Sequence, residues 1–171
     1  MKPSQTLIKL GKWLMQHGRL RIVIADDEAA YFNENMLKAA KSAGYHGIER
    51  IHYVTQAIFS SWLTTPPNIV ILDVRNVCDS GVAKDGIELA RTLLRETSAM
   101  VAVTSAHKWH FRKSLPQIDY FIEDRQLTST DFVNELSAIV DYYLSKKARF
   151  YRHVLMRIGV SLVRGAMQGV G

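Results

Sequence analysis

The sequence predicts a doubly wound α/β domain: a five-stranded parallel sheet flanked by five helices, with further helices added at both ends. Three observations carry this reading. Short apolar, β-branched runs alternate with segments of helical periodicity along the chain. The strongest runs are apolar throughout rather than at every second position, as strands covered on both faces require. Breakers such as Gly44, Pro66, Pro67 and Pro116 fall between the segments rather than inside them.

Taken in order, "LRIVIA" (20–25) is the first strand, and "EAAYFNENMLKAAKSAG" (28–44) is a helix closed by Gly44 as its C-cap. "ERIHYV" (49–54) is a weaker strand in which polar residues alternate, and "TQAIFSSWLTTPP" (55–67) is a helix stopped by its prolines. "NIVILDV" (68–74) is the third strand. The helix "DGIELARTLLRETS" (85–98) places Ile87, Ala90, Leu93 and Leu94 on one face. "MVAVTS" (100–105), a helix over 106–115, and "YFIE" (120–123) come next. "TSTDFVNELSAIVDYYLSKK" (128–147) closes the domain, with Thr128, Ser129 and Thr130 as cap candidates. The expected organisation is a basic amphipathic helix over 1–19, a core domain over 20–145, and a basic helical extension over 146–171.

The formal net charge of +6 is unevenly spread. Residues 1–21 hold five Lys and Arg and residues 146–171 hold six, neither with an acid, so the body between them is net negative. The single cysteine, Cys78, excludes an internal disulfide framework and fits a reducing, cytoplasmic setting. No apolar run is long enough to span a membrane. Lys9 and Lys12 break the apolar stretch at the start, which argues against a signal peptide.

In a doubly wound sheet the ligand site lies beyond the carboxyl ends of the strands. Those ends carry Asp26 and Asp27 on strand 1, Asp73 on strand 3, Thr104 on strand 4 and Glu123 on strand 5. Three converging aspartates make a hard oxygen site suited to Mg²⁺, which would offset their mutual repulsion. One carboxylate can then act as a nucleophile towards phosphorus, and a hydroxyl such as that of Thr104 can bond a phosphoryl oxygen.

With these residues in these places, the stretch 20–145 resembles the receiver domains of two-component response regulators. The resemblance implies the strand order 2-1-3-4-5. It assigns Asp26 and Asp27 to the acidic pair that helps hold Mg²⁺, Asp73 to the phosphoacceptor, Thr104 to the switch hydroxyl and Tyr120 to the switch aromatic. The backbone carbonyl of Arg75 would complete the metal shell. Asp85-Gly86 stands where the third helix of the family commonly begins. Two departures stand out. Glu123 occupies the place of the family's lysine, making the pocket more negative and disfavouring an added dianion. The connection "RNVCDSGVAKDG" (75–86) is longer than usual and brings Cys78, Asp79 and Lys84 towards the rim of the site. Arg125, Lys108, Lys113 and Lys84 are the candidate replacement cations.

The expected function is that of a single-domain response regulator, phosphorylated on Asp73 by a histidine kinase or phosphotransfer protein and signalling to a downstream protein partner. It is not expected to be an enzyme beyond its own phosphorylation and hydrolysis. The alternatives are a phosphorylation-independent pseudo-receiver serving as a scaffold, and a Mg²⁺-dependent phosphotransferase or phosphatase. The latter lacks a Gly-rich phosphate loop. His107 and His110 stand three apart without further metal ligands around them, and Cys78 reads as an ordinary loop thiol. In the extension, Val140, Leu144, Ala148, Tyr151, Leu155, Ile158 and Leu162 recur at spacings of three or four, a seam for self-packing or a homodimer. Contact with nucleic acid or a membrane ranks below that.

Overall fold

The computed structural model describes residues 20–28, 31–104, 118–122 and 127–146. Among them the chain forms strands β1 (Ile22–Ala25), β2 (Ile48–Ile51), β3 (Ile69–Asp73), β4 (Met100–Thr104) and β5 (Tyr120–Ile122). Helices α1 (Glu34–Ser42), α2 (Gln56–Thr64) and α3 (Gly86–Glu96) lie between them, and α4 (129–146) follows. The sheet order is β2-β1-β3-β4-β5, and every neighbouring pair is parallel. That is the order implied by the resemblance. The expected helix over 106–115 and the helices over 1–19 and beyond residue 146 lie outside the described residues.

Strand side chains alternate between two faces, so the continuous apolar runs feed two separate cores. Ile22, Ile24, Ile69, Ile71, Met100, Ala102 and Ile122 pack with Met36, Leu37 and Ala40 of α1 and with Phe132, Leu136, Ile139 and Val140 of α4. Val23, Ala25, Val70, Leu72, Val101 and Val103 pack with Phe59 and Trp62 of α2 and Leu89, Ala90 and Leu93 of α3. The central strands β1, β3 and β4 are buried along their whole length. Each such Ile, Leu or Val contributes about 1.5–3 kcal/mol relative to an exposed position. The outer strand β2 has the sequence IERI, with only Ile48 buried. This accounts for the weak, alternating pattern of that segment.

The helix boundaries follow local chemistry. α1 begins at Glu34, later than its apolar pattern alone suggests, because Asn33 Oδ1 accepts the Asn35 and Met36 N–H groups. It ends in a Schellman turn: Gly44 N–H donates to Lys41 O and Tyr45 N–H to Ala40 O. Gly44 takes φ 102° there, so the expected cap glycine sits one residue past the cap, Ala43. At α4 the expected cap is found at Thr128, whose Oγ1 accepts the Asp131 N–H while the Asp131 carboxylate accepts the Thr128 N–H.

Candidate functional site

The same alternation that builds the cores aims the polar residues at the strand ends. Ile22, Ile24 and Asp26 share one face, as do Ile69, Ile71 and Asp73, and Met100, Ala102 and Thr104. Asp73 and Thr104 are direct partners in the β3–β4 register. Asp26 follows the last residue of β1, the strand beside β3. Two aspartates and a threonine therefore meet at the carboxyl edge of three adjacent strands.

These three are the buried polar or charged residues of the described chain: Asp26 is 1% exposed, Thr104 1% and Asp73 7%. Asp27, half-buried, completes an acidic cluster whose ligand oxygens all lie within 4.8 Å of one another. Burial is the largest influence on Asp26 and pushes its carboxyl up from 3.8 to about 6. The Glu28 N–H, donating to Asp26 Oδ1 at 2.7 Å, works in the opposite direction. The charges of Asp73 and Asp27 add to the upward push, and the Arg50 guanidinium opposes it. A set of carboxylate oxygens with no nitrogen or sulfur donor suits a hard divalent cation such as Mg²⁺, and such an ion would relieve this repulsion.

The Thr104 hydroxyl is buried and finds no hydrogen-bond partner among the described residues. An unpartnered buried hydroxyl costs about 1–3 kcal/mol. Its position beside Asp73 suits it to bond an oxygen of a group carried by that carboxylate.

Tyr120 lies one pleat below: it pairs with Ala102, whereas Thr104 is opposite Ile122. Its half-buried ring meets the Tyr142 ring of α4 edge-on, with centroids 6.2 Å apart. Arg75, two residues beyond Asp73, has an exposed side chain. Glu123 lies outside the described residues, as do Arg125, Lys108, Lys113, His107 and His110.

The long 75–86 connection is an ordered strap. Val54 N–H donates to Val77 O, Asp79 N–H donates to Val54 O, and the Asp79 carboxylate accepts the Gln56 N–H at the start of α2. Val77, Cys78 and Ala83 are buried in the α2–α3 core. The Cys78 thiol is directed at Ala83 O and held above its ordinary range, chiefly by burial and next by the charges of Asp85 and Asp79. A buried thiol shifted this way is unreactive. Lys84 is exposed, its N–H donating to the Glu88 carboxylate. Asp85 caps α3 by accepting the Glu88 N–H. Gly86 then passes so close to β3 that a Cβ there would lie 2.1 Å from the Asp73 carbonyl oxygen.

Sequence reasoning missed Arg50. It pairs with Ile24 in the β1–β2 register, is half-buried, and its Nη1 donates to Phe32 O in the β1–α1 loop. Its place on the same sheet face as Asp26 follows from the pairing with Ile24, which alternation within "ERIHYV" alone does not contain.

No protein-family profile and no curated protein sequence matches the chain. Solved structures do. The receiver domain of the response regulator NarL from Mycobacterium tuberculosis aligns at TM-score 0.52 and 19% identity, over 71% of this chain and 95% of that one. The isolated receiver domain of RcsB from Salmonella enterica serovar Typhimurium aligns at 0.53 and 18%, over 70% and 87%. A chemotaxis response regulator of Vibrio cholerae aligns at 0.55 and 10%, over 70% and 98%.

Proposed function

The described domain has the fold of the response-regulator receiver domains, and we propose that it works as one. In this reading Asp73 is the phosphoacceptor, and Asp26, Asp27 and Asp73 hold Mg²⁺. A carboxylate oxygen of Asp73 attacks the phosphorus of a donor, a phosphohistidine or a small acyl phosphate. A new O–P bond forms as the donor's bond to phosphorus breaks, and the leaving group keeps that electron pair. Mg²⁺ supplies charge neutralisation for the incoming phosphoryl group. Thr104 then donates its hydroxyl to a phosphoryl oxygen, a bond for which it has no competing partner among the described residues. Tyr120 and Tyr142 join the β5 edge to α4, so a shift at Thr104 would be felt on that face by a downstream protein. The chain's only chemistry would be its own phosphorylation and hydrolysis, with a histidine kinase or phosphotransfer protein as donor. No helix among the described residues is long and apolar enough to cross a membrane, and a cytoplasmic place suits such donors.

The observation that carries this reading is the buried Asp73–Thr104 pair beside a three-carboxylate cluster. It is tested by incubating the protein with acetyl phosphate and Mg²⁺ and measuring intact mass. A gain of about 80 Da, one phosphoryl group, is expected for the wild type and not for Asp73→Asn. A wild type that binds Mg²⁺ but never gains this mass refutes phosphoryl transfer and leaves a pseudo-receiver.

A further inference from the structure

The 75–86 strap is tied down at its base and again at its far side. At the base, the Gly86 N–H donates to Val74 O at 3.0 Å, with Gly86 packed against the Asp73 carbonyl. At the far side it is bonded to the corner between β2 and α2. Val54 N–H donates to Val77 O at 2.7 Å, and Asp79 N–H donates to Val54 O at 3.1 Å. The Gln56 N–H, at the first position of α2, donates to Asp79 Oδ2 at 3.0 Å. Asp79 also folds the strap on itself, its carbonyl accepting the Val82 and Ala83 N–H groups.

Between the two attachments lie only Arg75 and Asn76. Asn76 takes φ 47°, the left-handed conformation that asparagine tolerates better than most residues, and the chain turns there from β3 to its bonds with Val54. A two-residue span held on both sides and containing a fixed turn leaves its peptide groups little freedom. The Arg75 carbonyl, which the receiver resemblance assigns to the metal shell, belongs to this span, and Asp73 ends the strand just ahead of it.

We propose that the strap preorganises the cation site through Asp79, which acts as a positioning residue for Mg²⁺ by holding the far side of the strap on α2. This role rests on Mg²⁺ binding by Asp26, Asp27 and Asp73 as proposed. Oxygen ligands on a rigid frame bind a cation more tightly than the same ligands on a loose loop, because no loop has to be ordered on binding. Mg²⁺ is demanding in this respect, since it requires near-ideal octahedral geometry. The coupling is reciprocal: a cation that favours the ordered strap must also strengthen the Asp79–Gln56 bond, which brings the first turn of α2 under the influence of the site. If Asp79 served only as a cap for α2, its loss would lower stability and leave metal affinity alone.

The test is calorimetric titration of the full chain with Mg²⁺, with thermal unfolding in EDTA measured alongside. Asp79→Ala removes the acceptor and is expected to bind Mg²⁺ about 10-fold more weakly. Asp79→Asn keeps an oxygen for the Gln56 N–H and is expected to stay within about twofold of the wild type. Gln56→Pro removes the donor instead. Proline is tolerated at a first helical position, and Thr55 already has the extended backbone that a residue before proline needs. This variant is expected to show the same loss as Asp79→Ala. In the wild type, exchange of the Gln56 amide hydrogen is expected to slow when Mg²⁺ is added.

Wild-type Mg²⁺ affinity in Asp79→Ala or in Gln56→Pro overturns the proposal, even where the Tm falls. A Gln56 amide indifferent to Mg²⁺ does the same, as does an equal loss in Asp79→Asn, which would make the charge rather than the bond responsible. Failure of phosphoryl transfer has a different signature: the gain of about 80 Da is missing while Mg²⁺ binding and its dependence on Asp79 remain. A wild type that binds no Mg²⁺ overturns both.

Discussion

Replacing Asp26 with Asn is expected to stabilise the metal-free fold at neutral pH. The folded carboxyl is raised from 3.8 to about 6, so between those values the folded state holds a proton that the unfolded chain has released. Stability therefore falls as pH rises through this window, and the full deficit is present above about pH 6. A rise of that size corresponds at face value to about 3 kcal/mol. Solvent reaching the mouth of the cluster screens part of this, leaving about 1–2 kcal/mol. An asparagine oxygen can still accept the Glu28 N–H, so the substitution removes the charge and keeps the bond. In a domain of this size the gain is about 3–5 °C in Tm per kcal/mol. The assay is thermal unfolding in EDTA at pH 7.5 and again near pH 4, where wild type and Asn variant should converge because the native group is then neutral and its deficit has gone. Adding Mg²⁺ at pH 7.5 should raise the wild type and leave the variant nearly unmoved. A variant no more stable than the wild type at pH 7.5, or an advantage that persists unchanged at pH 4, would refute the reasoning.

Thr104→Val removes a buried hydroxyl without a described partner, and a resting-state gain of about 1 kcal/mol is expected in denaturant unfolding. The same variant should bind beryllofluoride, a phosphoryl mimic, roughly 10–100-fold more weakly; equal affinity would remove Thr104 from the site. Gly86→Ala should cost about 2–3 kcal/mol, because its methyl would collide with the Asp73 carbonyl and α3 would have to move; a wild-type denaturation midpoint would contradict that close approach. Arg50→Met should shift the pH midpoint of Mg²⁺ binding upwards by removing the nearby cation that favours the Asp26 carboxylate, and calorimetric titration across pH reads this directly.

Most of the fold was legible because burial on both faces leaves a continuous apolar signature. Val70, Ile71 and Leu72 could hardly sit anywhere but in an interior strand, and Asp73 follows them by position alone. The acidic cluster was legible for the same reason: Asp26 and Asp73 end apolar runs, and parallel strands bring such ends together. What could not be read was chemistry set by register and by loops. Arg50 enters the site through its pairing with Ile24, a relation that spacing along one strand does not contain. The start of α1 escapes the apolar pattern because Glu28, Ala29 and Ala30 favour a helix, while Asn33 and the Asp26–Glu28 bond settle the boundary. The length of the 75–86 insertion suggested that Cys78, Asp79 and Lys84 stand near the rim of the site. Instead Val54 and Val77 draw it into the core, burying Cys78 and turning Asp79 into a cap for α2.

Two costs of the resting site point to the same remedy. Asp26 is held charged in a buried place beside two other carboxylates, and Thr104 keeps its hydroxyl away from both water and any described partner. A mutation that merely improved packing would remove either group, since each destabilises the fold as it stands. A divalent cation among the carboxylates would remove the first cost, and a phosphoryl group on Asp73 would remove the second. Neither ligand would relieve both, because a cation takes nothing from a hydroxyl's proton and a phosphoryl dianion worsens the acidic cluster. In the proposed reading the two ligands would act together: uptake of a phosphoryl group should depend on added metal far more steeply than on any single side chain among the described residues. The nearby described cation, Arg50, reaches the cluster from the β2 side, with β1 between it and Asp73, so it favours the Asp26 carboxylate without standing in for a partner to the phosphate.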